Sequence, residues 1–139
     1  MPAATVGIND VQDVAFNAGT QRATWYVGLI NNASFTSIDA ADTMASHANW
    51  VETHTVYSEA TRPEWTEGAA SGGATTNSAA VTFTFTASIT VKGVFLTSVN
   101  TKGGTTGILI TSPSLLFSTA RSYVSGQTLK VTITFQGSM

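Results

Sequence analysis

The stretch AVTFTFTASITVKGVFLTSVNTKGGTTGILIT, Ala80 to Thr111, decides the fold. Val81, Phe83 and Phe85 alternate with Thr82, Thr84 and Thr86, the two-residue period of a strand with one buried face. After Ala87-Ser88 comes a second run. Ile89 and Val91 alternate, Gly93 interrupts, and Val94, Phe95 and Leu96 follow without a break. A glycine ahead of a continuous apolar run predicts a bulge leading into a strand covered on both faces. Asn100 to Gly107 is turn chemistry, with Lys102-Gly103-Gly104 expected as a mobile hairpin tip, and Gly107 to Thr111 returns as a third strand. The run is expected to form the centre of a sheet.

Further strands surround it. Ala23 to Ile30 places Trp25, Val27 and Leu29 on one face and Tyr26 and Ile30 on the other, so a central strand is expected. Trp50 to Tyr57 alternates weakly. Pro63 cannot donate to a ladder, which makes Ser58 to Gly68 an edge strand or an extended connection. Ala69 to Ser78, carrying Gly72-Gly73, reads as a loop. Pro113 breaks the chain before a short apolar segment at Leu115-Leu116-Phe117. Thr128 to Phe135 then reads as one strand with Leu129, Val131, Ile133 and Phe135 inward. Two short helices are expected. One runs from Asn9 to Gly19 with Asp10 as N-cap, after a loose arm at Met1 to Gly7. The other is capped by Asp39 or Asp42 and runs through Met44 to His47. The expected fold is all-β, mainly an antiparallel β-sandwich or open, jelly-roll-like barrel, with one or two short helices. Residues 1–19 form the arm and helix, and residues 20–139 a single β domain.

Composition narrows the functional classes. Of 139 residues only 10% are charged, against roughly 25% in average globular domains. Hydroxyl and amide side chains fill the difference, and with a net charge of −2 the molecules repel one another weakly. The expectation is a protein that sits in an assembly. All eight acids precede Gly68, while the charged residues beyond it are Lys92, Lys102, Arg121 and Lys130. Either these charges offset within one domain, or an acidic face on one subunit meets a basic face on its neighbour. Four scattered cations make no basic stripe, so no nucleic acid partner is expected. No apolar run reaches 18 residues, so no membrane-spanning helix is expected. No secretory signal is visible either. The absence of cysteine excludes disulfides and thiolate chemistry.

No catalytic, metal or cofactor site emerges. The seven-residue interval between His47 and His54 suits neither a helical zinc pair nor one face of a strand. Glu59, Glu64 and Glu67 flank a proline-containing loop rather than forming a defined acid pair. Lys102 to Gly107 lacks the order of a phosphate-binding loop. The aromatic residues say more. Trp25 is expected in the core and Trp50 at a helix-to-strand junction. Trp65, beside Arg62 and Pro63, is the candidate anchor of a protein interface, with Tyr57 and Lys102 near it. The alternative for Arg62 is stacking on an aromatic ring of its own subunit.

Five segments carry a family resemblance. They are Trp25-Tyr-Val-Gly-Leu-Ile-Asn-Asn-Ala-Ser-Phe, Asp42-Thr-Met-Ala-Ser-His-Ala-Asn-Trp, Tyr57-Ser-Glu-Ala-Thr-Arg-Pro-Glu-Trp, Val94-Phe-Leu-Thr-Ser and Thr101-Lys-Gly-Gly-Thr-Thr-Gly. From Trp25 onward the chain resembles small virion proteins of tailed bacteriophages, of the head-decoration or cement type. The resemblance implies a non-enzymatic protein, often trimeric, that binds the outer capsid surface, bridges neighbouring major capsid proteins and is assembled in the host cytoplasm. Two other readings stay open: a tail-tube, neck or fibre-base component, and a receptor- or glycan-binding module in which Trp65, Tyr57 and the loop at Lys102 form a shallow platform.

Overall fold

The computed structural model describes residues 1–137; the last two residues of the expected 20–139 domain lie outside the described residues. The fold is mostly β. Helix α1 (Thr5–Phe16) precedes β1 (Trp25–Asn31), β2 (Glu52–Thr53), β3 (Glu64–Trp65), β4 (Ala74–Thr76) and β5 (Val81–Thr84). Then come β6 (Ile89–Thr97), β7 (Leu109–Ile110), a 3₁₀ turn at Pro113–Leu115, β8 (Leu116–Tyr123), β9 (Thr128–Val131) and β10 (Thr134–Gln136).

The long strands β1 and β6 pair antiparallel at the centre of a six-stranded sheet. At the Trp25 end of β1 the order is β3-β1-β6-β7, and at the Asn31 end it is β2-β1-β6-β8. Strand β5 does not continue into this sheet, as the run from Ala80 suggested; it pairs with β9, and β4 pairs with β10. One face of the central sheet, carrying Val27, Leu29, Val94 and Leu96, packs on Val81 and Phe83 of β5 and on Leu129 and Val131 of β9. The other face carries Ile30, Phe95 and Leu109 and is covered by Ile38, Met44 and Trp50 from the long β1–β2 connection, with Ala4 beside them.

The bulge lies where Gly93 predicts it. Ile30 opposes Gly93 but Asn31 opposes Val91, so Lys92 is the extra residue. By the two-residue period Val91 would share the face of Phe95. The extra residue turns it back to join Val94 and Leu96 in the first core. Gly93 itself is packed so closely that a Cβ would meet the Leu115 carbonyl oxygen at 2.6 Å.

Several local expectations are corrected. No helix follows Asp42. Its carboxylate accepts from the Asp39 amide and from the Trp50 indole, both at 2.9 Å, so it organises a turn and orients the tryptophan that covers the sheet. Trp50 therefore lies over the sheet, with His47 stacked on it at 3.8 Å, rather than at a helix-to-strand junction. The Trp50–Tyr57 segment keeps strand pairing only at Glu52–Thr53 and one bridge from Tyr57 to Phe85. Ala69–Ser78 contains a strand, β4, and the segment after Pro113 extends to Tyr123.

Thr128 to Phe135 is not one strand. At Thr132 the chain leaves β5 for β4, and the Asn77 side chain spans the break, donating to the Val131 carbonyl at 3.2 Å and accepting from the Ile133 amide at 2.8 Å. Leu129, Val131 and Ile133 are buried, but Phe135 is 37% exposed.

At the middle of β1, Gly28 opposes Phe95, and a Cβ at Gly28 would overlap that ring. The ring is fixed on its other sides by Trp50 at 5.2 Å and by the Arg62 guanidinium at 5.6 Å. A close-packed interior has no slack for the added methyl. We expect Gly28→Ala to destabilise the protein by about 3 kcal/mol, read from the shift in urea midpoint; an unchanged midpoint would show that Phe95 can move aside.

Candidate interaction surface

The five residues expected at an interface fall into two groups. Arg62 is fully buried, Tyr57 is 3% exposed and Trp65 is 5% exposed. Arg62 makes a two-pronged ion pair with Glu52, Nε to Oε1 at 2.9 Å and Nη2 to Oε2 at 2.6 Å. It also donates to the carbonyls of Val99 and Gly104. Its ring contact is with Phe95 of the same subunit, as the alternative reading anticipated. Pro63 is half-buried, and its carbonyl accepts from the Val27 amide at 2.8 Å, which brings Trp65 in against the core.

Lys102 lies 3.9 Å over the Tyr57 ring and donates to the carbonyls of Tyr57 and Glu59. These contacts, with the Arg62 amide donating to the Asn100 carbonyl, tie down the Asn100–Gly107 turn that the sequence presents as a mobile tip. The aromatic platform imagined for glycan binding is not at the surface, because both of its rings are in the core.

The exposed apolar surface lies elsewhere, around α1. The helix starts at Thr5, earlier than Asp10 would place it, and Met1–Gly7 is not a loose arm. Ala4 at the N-cap has no capping side chain. Its amide instead donates to Thr111 Oγ1, and the Thr5 amide donates to the Ala40 carbonyl. Gly7 rests on β7 so tightly that a side chain there would strike the Leu109 carbonyl. Beyond that contact the helix stands away from the sheet. Ile8 is 45%, Val11 54% and Phe16 88% exposed. It closes on Ala18 in the left-handed region, with the Asn17 and Gly19 amides both donating to the Asp13 carbonyl. An ion pair between Arg22 and Asp10 at 2.9 Å ties the following linker to the helix.

Between the raised half of α1 and the sheet lies an apolar wedge of about 190 Å³, lined by Val11, Trp25, Trp65, Leu96, Ile110 and Phe135. Trp25, expected in the core, is only half-buried because it forms the floor of this wedge. Trp65 forms a wall, with Phe135 edge-on to it at 5.6 Å, and its indole N–H has no hydrogen-bond partner among the described residues. Asp10, Glu67 and Arg22 border the adjoining groove. The sequence hides the wedge because its residues come from six separate segments and each looks like an ordinary core position. Only the exposed apolar residues Val11 and Phe16 on a short helix hint at it.

Chemically the wedge can bury apolar side chains, with carboxylates at its margin. Among the described residues no group of three or more His, Cys, Asp or Glu is arranged to hold a metal ion, and no helix is long and apolar enough to cross a membrane. In comparisons with known proteins, no family model matches the chain and no curated protein is similar to it.

Two variants test the buried polar cluster. Arg62→Ala leaves Glu52 as an uncompensated buried charge and should cost about 3–5 kcal/mol in urea unfolding. A loss below 1 kcal/mol, on the order of a surface pair, would contradict the burial. Tyr57→Phe should act in the opposite direction, because the Tyr57 hydroxyl is buried without a hydrogen-bond partner among the described residues. Removing it is expected to stabilise the fold by about 1 kcal/mol.

The same hydroxyl supplies a pH signature. Burial, reinforced by the charge of Glu52, pushes its pKa well above the usual tyrosine value. The folded state then keeps its proton where the unfolded chain has lost it, so stability falls as pH rises above about 10, by up to roughly 1.4 kcal/mol per pH unit. Comparison of alkaline unfolding curves for wild type and Tyr57→Phe should show that slope only in the wild type.

Proposed function

We propose that this protein is a non-enzymatic structural component of a bacteriophage virion, a capsid decoration or cement protein that binds the outer head surface and stabilises it. Two supports are independent. The chain from Trp25 onward resembles such proteins in its sequence segments. The observation that carries the reading is physical: α1 is anchored at its start and raised at its end, leaving Ile8 and Phe16 exposed on the helix and Val11 and Phe135 lining an uncovered apolar wedge.

A sheet whose two central strands are locked by close packing, with exposed apolar residues on α1 and beside it, suits repeated rigid contacts. The sparse charge and abundant hydroxyls suit the same use, because neighbouring copies on a shell repel one another little. Shallow contacts of this kind hold when many are made at once. The major capsid protein and further copies of the chain are the partners this reading names.

The test is binding to heads. Purified protein is expected to co-sediment with tailless heads that lack it and to raise the temperature at which those heads release their DNA. Val11→Ser combined with Phe16→Ser, which removes exposed apolar groups and leaves both cores intact, should weaken head occupancy by about tenfold or more. The reading fails if folded wild-type protein does not co-sediment with heads at any concentration tested.

A further inference from the structure

We propose that the wedge beneath α1 is filled by the opposite end of a second copy of this chain, in a head-to-tail contact that joins an acidic end to a basic one. This rests on the assembly role above and names the partner of the same surface.

The strand registers place the charges. Tyr26, at one end of β1, opposes Glu64 of β3, and the wall of the wedge is Trp65 beside it. Glu67 and Asp10 border the adjoining groove, and Asp13 lies one helical turn beyond Asp10. Against these four acids stands one cation, Arg22, which is paired with Asp10. Glu64, Glu67 and Asp13 are exposed and form no ion pair among the described residues.

At the other end of β1, Asn31 opposes Val91, and Val91 opposes Arg121 of β8. Lys92 is the bulged residue beside them. Its ammonium is 3.4 Å from the Phe117 carbonyl, while the Arg121 guanidinium lies over the Phe117 ring. Neither cation has a carboxylate partner among the described residues. Asp39, in the connection that leaves this end, is engaged by Ser37 and Asn49. Five strand steps separate Tyr26 from Asn31, about 17 Å, beyond the screening length of physiological salt. The two charged groups cannot neutralise each other within one subunit. In a neighbour they can.

The basic end also brings apolar surface. Val124, directly after β8, is 54% exposed and lines a groove with Ile89 and Tyr123. Strand β8 is an edge of the sheet, and from Phe117 to Ala120 it arches away from β6, because Leu116 opposes Gly93 and the next pair is Arg121 with Val91. The two ends are thus complementary in charge and in apolar surface. They are different surfaces, so the contact is heterologous, and copies add head to tail until a ring closes or a chain grows.

The experiment is sedimentation velocity of the full-length wild type over a range of salt and protein concentrations. Oligomers are expected at low salt, with the dissociation constant rising about tenfold or more on moving to 0.5 M salt, as for a contact steered by charge. Tryptophan emission should shift to the blue on association, because the half-buried Trp25 lines the wedge. Arg121→Glu alone and Glu67→Lys alone should each dissociate the oligomer, and the variant carrying both should reassociate, since every contact then meets a complementary end.

A monomer at all concentrations in low salt overturns the proposal. So does an oligomer indifferent to salt and to both reversals. Head co-sedimentation measured alongside keeps the two readings apart: monomeric protein that still binds heads sinks the head-to-tail contact alone, whereas oligomers that never bind heads sink the capsid role alone.

Discussion

The architecture depends on one close approach, the ring of Phe95 lying across Gly28 at the middle of the β1–β6 pair. A side chain at position 28 would hold the ring off the backbone. Without one, the ring lies flat enough for Trp50 and the Arg62 guanidinium to pack around it. Trp50 brings with it the connection that covers the second face, held by the Asp42 carboxylate. Arg62 brings Glu52, Val99 and Gly104, which belong to β2 and to the β6–β7 connection. A missing Cβ therefore organises a core cluster and two connections that no local propensity would have ordered.

The buried ion pair follows from the same geometry. Arg62 and Glu52 are both taken out of water, a cost that attraction between them offsets only when the geometry is good and the remaining donors are satisfied. Here the guanidinium makes two bonds to the carboxylate and two to backbone carbonyls. The fork of the arginine suits that arrangement in a way a lysine could not. Its product is specificity: the turn after β6 is fixed relative to β2 and β3, although neither short strand has enough ladder of its own to hold a register.

Sequence periodicity revealed the elements whose side chains alternate over several residues. β1, β5, β6 and the bulge before Val94 are all legible in this way, because strand period and burial coincide there. What was hidden was decided by partners distant in the chain. Asp42 is a good helix cap by type, yet its carboxylate is taken by Trp50, and the helix it would have started does not form. Asn77 reads as loop chemistry, yet it stands in for ladder bonds between β9 and β10. Tyr57, Arg62 and Trp65 have the composition of an interface, but the same aromatic and guanidinium chemistry serves a core when a buried carboxylate lies within reach. The wedge was least legible, since its lining depends on where α1 leaves the sheet, and that is set by Ala4 and Gly7 fitting closely on β7.

That departure point links the fold to the proposed assembly. A helix held along its whole length would cover Trp25 and Phe135 and leave the subunit closed. Held only at its start, α1 keeps Val11 and Phe16 out of its own core and leaves Trp25 half-buried at the acidic end of the sheet. The bulge at Lys92 acts at the opposite end, turning Val91 inward and placing a cation beside Arg121 at the arching edge strand. Two local irregularities, one at each end of the same pair of strands, thus give a rigid block two unlike ends. Lys92 and Arg121 lie at one end of that pair and the exposed Glu64, Glu67 and Asp13 at the other, so the complementarity of the proposed contact runs along the β1–β6 axis.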